Sequence, residues 1–282
     1  MPFRLFARFL LYSIALLTSV ITIYWRRMSI KSRSDIIKYL NYNGIELKSS
    51  KDADVEAVMC ACQLGHLHII DQLKALGIDA ATISDADQVT SLMCASLNGH
   101  PTVVDKLLTY GANVNAQAHD GASSLMCAAQ NGHMPIVLKL IQRGAQVQTK
   151  SNDGSTALHF AALNGKLDCC QALLASHAEV DSPDNEGITP LMCAAYHGTG
   201  VIVELLIKKG ANPTKENNDG MTCISYAVAG GHLELVKMLN EGRYLGQEQF
   251  KVHVKSASTI AESVGHKHIS QYLSDKFKNL LD

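Results

Sequence analysis

This 282-residue chain has no glycine-rich pattern that would cradle a phosphate between a strand and a helix, which removes the usual nucleotide-binding reading. No cysteine or histidine set shows zinc spacing. Cys60-Ala61-Cys62 and Cys169-Cys170 have no third and fourth ligand at the required distance. His66 and His68, like His266 and His268, are two residues apart, so on a helix they diverge by about 200°. No pair of carboxylates stands apart from acids in turns, so general acid–base chemistry has no evident place. A basic body is also missing. Beyond residue 48 there are 17 Lys or Arg against 24 Asp or Glu, the opposite of a face built for phosphate backbones. The chain is therefore expected to be non-catalytic, with no catalytic residue, cofactor, metal, nucleic acid or small-molecule substrate.

Acids are scarce at the other end. None precedes Asp35, and residues 1–48 hold eight Lys or Arg against Asp35 and Glu46. Within this basic head, the 17 residues from Phe9 to Trp25 carry no charge. As a helix they span roughly 26 Å, slightly short of a ~30 Å hydrocarbon layer. Arg8 can snorkel, and Tyr24 and Trp25 suit an interfacial belt. A cleaved signal would end in small residues, but the exit reads Thr-Ile-Tyr-Trp-Arg-Arg. A mitochondrial presequence would need a basic helical face, which 17 uncharged residues do not leave. An uncleaved membrane anchor over 1–33, inserted through 9–25, is the expectation. Arg26, Arg27, Lys31 and Arg33 outnumber Arg4 and Arg8, so the bias of flanking charge places the rest of a single-pass chain in the cytosol.

The body repeats. Leu92, Leu125, Leu158, Leu191 and Ile224 are 33 residues apart, as are Gly99, Gly132, Gly165, Gly198 and Gly231. Gly111, Gly144 and Gly210 keep a second phase, with His177 where another Gly is due. A fixed period of this length means stacked units, each burying its apolar face on its neighbours. With 47% hydrophobic residues the chain can fill one continuous core. Residues 118–150 give the grammar: an Asp120-Gly121 turn, a helix over 124–130 capped by Ser123, an ending at Gly132, then a second helix with Pro135 in its first turn and Ile136, Val137, Leu140 and Ile141 on one stripe. Cys60, Cys94, Cys127 and Cys193 hold one repeat position. Stacked helices lie about 8–10 Å apart and a disulfide needs Cα atoms within about 7 Å. These thiols are read as small buried hydrophobes, which suits a reducing compartment.

The sequence Thr189-Pro190-Leu191-Met192-Cys193-Ala194-Ala195-Tyr196-His197-Gly198 resembles the hallmark of the ankyrin repeat family. Thr156 to Ala162 with Gly165, and Thr90 to Ala95 with Gly99-His100, repeat it. The second-half pattern recurs as Leu107 to Asn115 and Leu205 to Asn212. The resemblance implies an all-α solenoid of helix-turn-helix units behind one N-terminal apolar helix. Its parts would be a half-repeat cap over 34–50, six repeats over 51–248 and a degenerate polar cap over 249–282. At one position the chain departs from the family: the usual His is Met at 59, 93, 126 and 192, Ser at 225, and His only at 159. Met exchanges polar ties for adaptable packing.

Such solenoids usually hold a protein through their turn tips and first-helix face. Carried over by position, the candidates are Phe160, Leu163, Asn164, Ile188, Tyr196, His197, Met221 and Tyr226, with Tyr196 and His197 the least core-like. The reading is a membrane-anchored adaptor for a protein partner. The alternative is an exported protein, periplasmic or host-directed, that assists or inhibits an enzyme. Amino-terminal sequencing separates the two: the anchor predicts an intact Met1 or Pro2, whereas a start between about 20 and 35 would mean export.

Overall fold

The computed structural model describes residues 53–240 and 247–278; the expected anchor over 1–33 and half-repeat over 34–50 lie outside them. The described residues form fourteen helices and no strand. They pair in chain order: α1 Ala53–Leu64 with α2 Leu67–Ala75, α3 Ser91–Leu97 with α4 Pro101–Thr109, α5 Ser124–Asn131 with α6 Met134–Gln142, α7 Ala157–Leu163 with α8 Leu167–Ala175, α9 Pro190–His197 with α10 Gly200–Lys208, α11 Cys223–Ala229 with α12 Leu233–Asn240, and α13 Gln247–Val264 with α14 Lys267–Lys278. None of these is long and apolar enough to cross a membrane.

Local chemistry sets the bounds. The side chains of Thr90, Ser123 and Thr189 accept the N–H groups of Met93, Met126 and Met192 at 3.2–3.4 Å, capping α3, α5 and α9. Pro101, Pro135 and Pro190 sit in first turns, where a missing N–H costs nothing. Gly132 and Gly198 end α5 and α9 in the left-handed region, which glycine enters without strain.

Two rows of helices result. First helices α1 to α13 pack on one another more closely than second helices do. The reason is visible in one column: Ala95, Ala128, Ala161, Ala194 and Ala227 are all fully buried between first helices. The second row buries Ile69-Ile70, Val103-Val104, Ile136-Val137, Ile202-Val203 and Leu235-Val236, and Cys169-Cys170 fills the same slot as a small hydrophobic pair. Each fully buried Leu or Ile is worth about 1.5–3 kcal/mol. Small residues on one row and bulky ones on the other make the first-helix row the inner, concave one.

Histidines tie the units. The Nε2 of His100 lies 2.8 Å from Gln63 O, that of His133 3.1 Å from Leu97 O, that of His232 2.9 Å from Tyr196 O and that of His266 3.3 Å from Ala229 O. A carbonyl only accepts, so Nε2 carries the proton in each. Every ring lies on the left-handed glycine of the preceding unit. A Cβ built on Gly65, Gly99, Gly198 or Gly231 would meet it at 2.4–2.8 Å. These glycines are fixed twice, by backbone angle and by the ring above.

The turns form a second ladder. Asn152, Asn185 and Asn218 each donate Nδ2 to a carbonyl of the preceding tip, His119, Asn152 and Asn185 respectively, at 2.7–3.0 Å. A third runs near the second-helix ends: Asn115 donates to Gly144 O and accepts from Gln146 N, and Gln148 donates to His177 O. His177 itself holds φ 63° where a glycine was due.

The Met-for-His exchange proves less apolar than expected. Met93 Sδ accepts the Thr90 N–H at 3.4 Å, as His159 Nδ1 accepts that of Thr156 at 3.0 Å. At this position Met93 keeps the local half of the bond and gives up the cross-repeat half. At the far end, Ala261 and Ile269 are buried and Gly265 is left-handed, so α13 and α14 continue the stack.

Asp181 breaks the third ladder. It occupies the place of Asn115 two repeats later. Its Oδ2 accepts Asn212 N at 2.8 Å, but buried Oδ1 has no partner. Asn115 puts an amide there and donates it to Gly144 O; the equivalent carbonyl is Gly210. Asp181→Asn restores the missing donor and is expected to raise stability by about 1 kcal/mol in chemical denaturation. An unchanged or lower midpoint would show that the orphan oxygen is already satisfied by water.

Candidate concave binding face

The concave face is built from two positions on each first helix and from the tips between them. Phe160 and Leu163 are three residues apart on α7, Cys193 and Tyr196 on α9, Tyr226 and Ala229 on α11, so each pair shares one side of its helix. Phe160, Leu163, Ile188, Met221 and Tyr226 are half-buried. Tyr196 stands out, 45% exposed. Asn164 is half-buried and donates its amide to Phe160 O at 2.8 Å, closing the end of α7. Seven of the eight residues singled out from the sequence thus lie on one surface or at its edge.

His197 has a different job. It is exposed, but its imidazole lies over Gly165: a Cβ there would meet Nε2 at 2.4 Å. In the next unit the usual Gly-His histidine is Thr199, and His197 supplies the ring instead. It belongs as much to the stacking as to the surface. Tyr196, whose backbone carbonyl is held by His232 and whose ring is free of hydrogen bonds among the described residues, is the more clearly available group.

The sequence did not reveal the supports beneath this face. Asp184 Oδ1 accepts the N–H groups of Glu186 and Ile188 at 2.9 and 2.7 Å, and Asn217 Oδ1 those of Asp219 and Met221 at 3.0 and 2.8 Å. Asn217 also donates to the Tyr226 hydroxyl at 3.1 Å. The signal was present as a polar residue four before each tip hydrophobe. Burial pushes the Asp184 carboxyl above its usual range. Burial also pushes the Tyr226 hydroxyl up to about 12, and the facing Asp184 and Glu186 carboxylates add to the rise.

Nothing on this face is an evident nucleophile or base. All eight thiols are free. Burial pushes Cys94, Cys127, Cys170, Cys193 and Cys223 up to about 12, so they stay protonated at neutral pH. His159 is buried with both nitrogens committed: Nδ1 accepts from Thr156 N, and Nε2 donates to Ile188 O at 3.1 Å. Among the described residues no three His, Cys, Asp or Glu side chains are grouped to hold a metal.

A family model described as Ankyrin repeats (3 copies) matches residues 28–118, 115–184 and 176–249. The chain belongs to the ankyrin repeat family. A search of curated proteins finds no match. Within this ankyrin solenoid His159 is the one residue that keeps the family's histidine, and its burial carries a pH dependence. Burial holds its imidazole down to about 4 from 6.5. The unfolded chain therefore takes up the proton first as pH falls. The contribution is whole above about 6.5, is lost down to about 4, and amounts to about 3 kcal/mol. His159→Met, the residue found in neighbouring repeats, is expected to flatten the loss of stability between pH 7 and 4.5. His66 shifts in the same direction but is common to both proteins. Identical slopes for the two would remove His159 as the cause.

Proposed function

We propose that this chain is a membrane-anchored ankyrin adaptor that captures a protein partner on its concave face and performs no chemistry of its own. The observation that carries the reading is Tyr196. A large aromatic side chain stands nearly half exposed between half-buried Phe160 and Tyr226, on backbone pinned by His232. Aromatic groups presented on rigid backbone lose little freedom on binding and are enriched among residues that dominate interfaces. Ankyrin repeats generally mediate protein–protein interaction, which agrees with this reading.

Anchoring rests on the uncharged run from Phe9 to Trp25 and its basic flank. The four basic residues following it favour a cytosolic solenoid. Carbonate extraction combined with protease protection of a carboxyl-terminal tag tests both points. The tag is expected to sediment with membranes and to be digested from the cytosolic side. A protected tag, or a shorter soluble form, would mean export, and the charge-based orientation would be wrong.

For the face itself, Tyr196→Ala is expected to abolish partner capture with less than about 0.5 kcal/mol change in stability, as for a surface substitution. His197→Ala is expected to cost stability as well, because it uncovers Gly165. A Tyr196→Ala chain that unfolds as easily as it loses its partner would assign Tyr196 to the fold.

A further inference from the structure

The charges of the solenoid are sorted by layer. On the outer, second-helix row most acids are neutralised: Asp71 by Lys106 at 2.9 Å, Asp105 by Lys139 and Arg143, both at 3.1 Å, Glu204 by Lys208 at 3.5 Å and Glu234 by Lys237 at 2.7 Å, with Asp168 and Asp275 in no ion pair among the described residues. The tips that rim the aromatic part of the concave face are different. Turns 151–155, 184–188 and 217–221 contain Asp153, Asp184, Glu186 and Asp219, and no Lys or Arg. None of the four carboxylates is in an ion pair among the described residues. The two lysines that precede these turns in sequence give their ammonium groups to backbone carbonyls. Lys150 Nζ donates to Pro183 O and Lys215 Nζ to Asp181 O, both at 2.7 Å.

Three of these carboxylates lie near the floor: the charges of Asp184 and Glu186 reach the Tyr226 hydroxyl, and those of Asp153 and Asp184 reach Cys193. Asp184 uses one oxygen on its own turn and leaves the other open. The Tyr226 hydroxyl accepts from Asn217 and keeps its own proton for an acceptor. An apolar, aromatic floor under an unneutralised acidic rim is complementary to one kind of occupant. Aliphatic stems of Lys and Arg lie on apolar and aromatic surface while their heads seek carboxylate, and Arg in particular combines stacking with bidentate pairing.

We propose that the face formed by repeats around Phe160, Tyr196 and Tyr226 receives a basic segment of its protein partner, with Lys or Arg side chains laid on the aromatic rings and paired with Glu186, Asp184 and Asp219. This deepens the adaptor reading and rests on it. Neutral and acidic segments fit the rim less well, since each would leave four carboxylates unpaired or opposed.

The test uses the full-length chain in detergent micelles and three labelled twelve-residue peptides of identical leucine content, with Arg, Gln or Glu at the remaining positions. The Arg peptide is expected to bind at least tenfold more tightly than the other two, and to weaken as salt rises. Glu186→Gln with Asp219→Asn should reduce its affinity at least tenfold; neither side chain makes a hydrogen bond or ion pair among the described residues, so both variants keep the native melting temperature. Asp105→Asn, on the outer row, should leave binding unchanged. Equal binding of the Arg and Gln peptides, loss of Arg binding by Asp105→Asn, or no binding of the Arg peptide would overturn the proposal. A photo-crosslinking residue at position 196 in cells separates this failure from that of the adaptor reading. Adducts on Lys- or Arg-rich partner segments support the basic occupant. Adducts on neutral or acidic segments retain the concave face and reject the basic occupant. Adducts from position 138 on the outer row, with none from 196, reject the face itself.

Discussion

The order of this solenoid depends on one contact, repeated at four of its six seams: an imidazole laid on a left-handed glycine of the unit before it, its Nε2 proton given to the carbonyl two residues ahead of that glycine. The contact satisfies a helix-end carbonyl that would otherwise be orphaned. It needs a glycine for the backbone angle and again for the clearance, so it fixes where the first helix stops at each seam that has it. Once the first helices stop in register, small residues such as Ala128 and Ala161 meet across the seam and the bulky Val and Ile pairs of the second row fall into line.

The seams are not equal. Where Lys166 and Thr199 replace the histidine, the stem of Lys166 covers Gly132 and the ring of His197 covers Gly165, but neither supplies the Nε2 bond. The tip ladder of Asn152, Asn185 and Asn218 runs through the same stretch. It carries the polar connection that the helix ends have lost there. The polar ties across the middle of the array thus run through its turns rather than its helix ends, and those turns rim the aromatic face.

The helical architecture was legible because its causes are local and periodic. Glycine 33 residues apart, Thr or Ser three residues before a capped N–H, and an apolar stripe at 3.6 spacing each name a piece of geometry. The position of Phe160, Leu163, Tyr196 and Tyr226 on one face followed from the same register. What the sequence concealed were chiefly contacts between residues 29 to 37 apart, with one local bond among them. His197 looks like a free surface residue until Thr199 is seen to leave a ring position empty. Met93 looks like a purely apolar substitution until its sulfur is found on the Thr90 N–H. Asp181 looks like an ordinary turn acid until Asn115 shows what that site requires.

The tip ladder also sets a measure along the concave face. Stacked helices lie about 8–10 Å apart, and a polyproline II segment advances about 3.1 Å per residue with three residues per turn, so every third side chain lies on one side. A segment laid straight across the first helices meets a new repeat about every third residue. Because Asn152, Asn185 and Asn218 lock neighbouring tips, this spacing cannot stretch independently at each step. An occupant of the proposed face would therefore be selected by rhythm as well as by charge: side chains recurring every third position stay in phase with Phe160, Tyr196 and Tyr226, and those at other intervals drift off them.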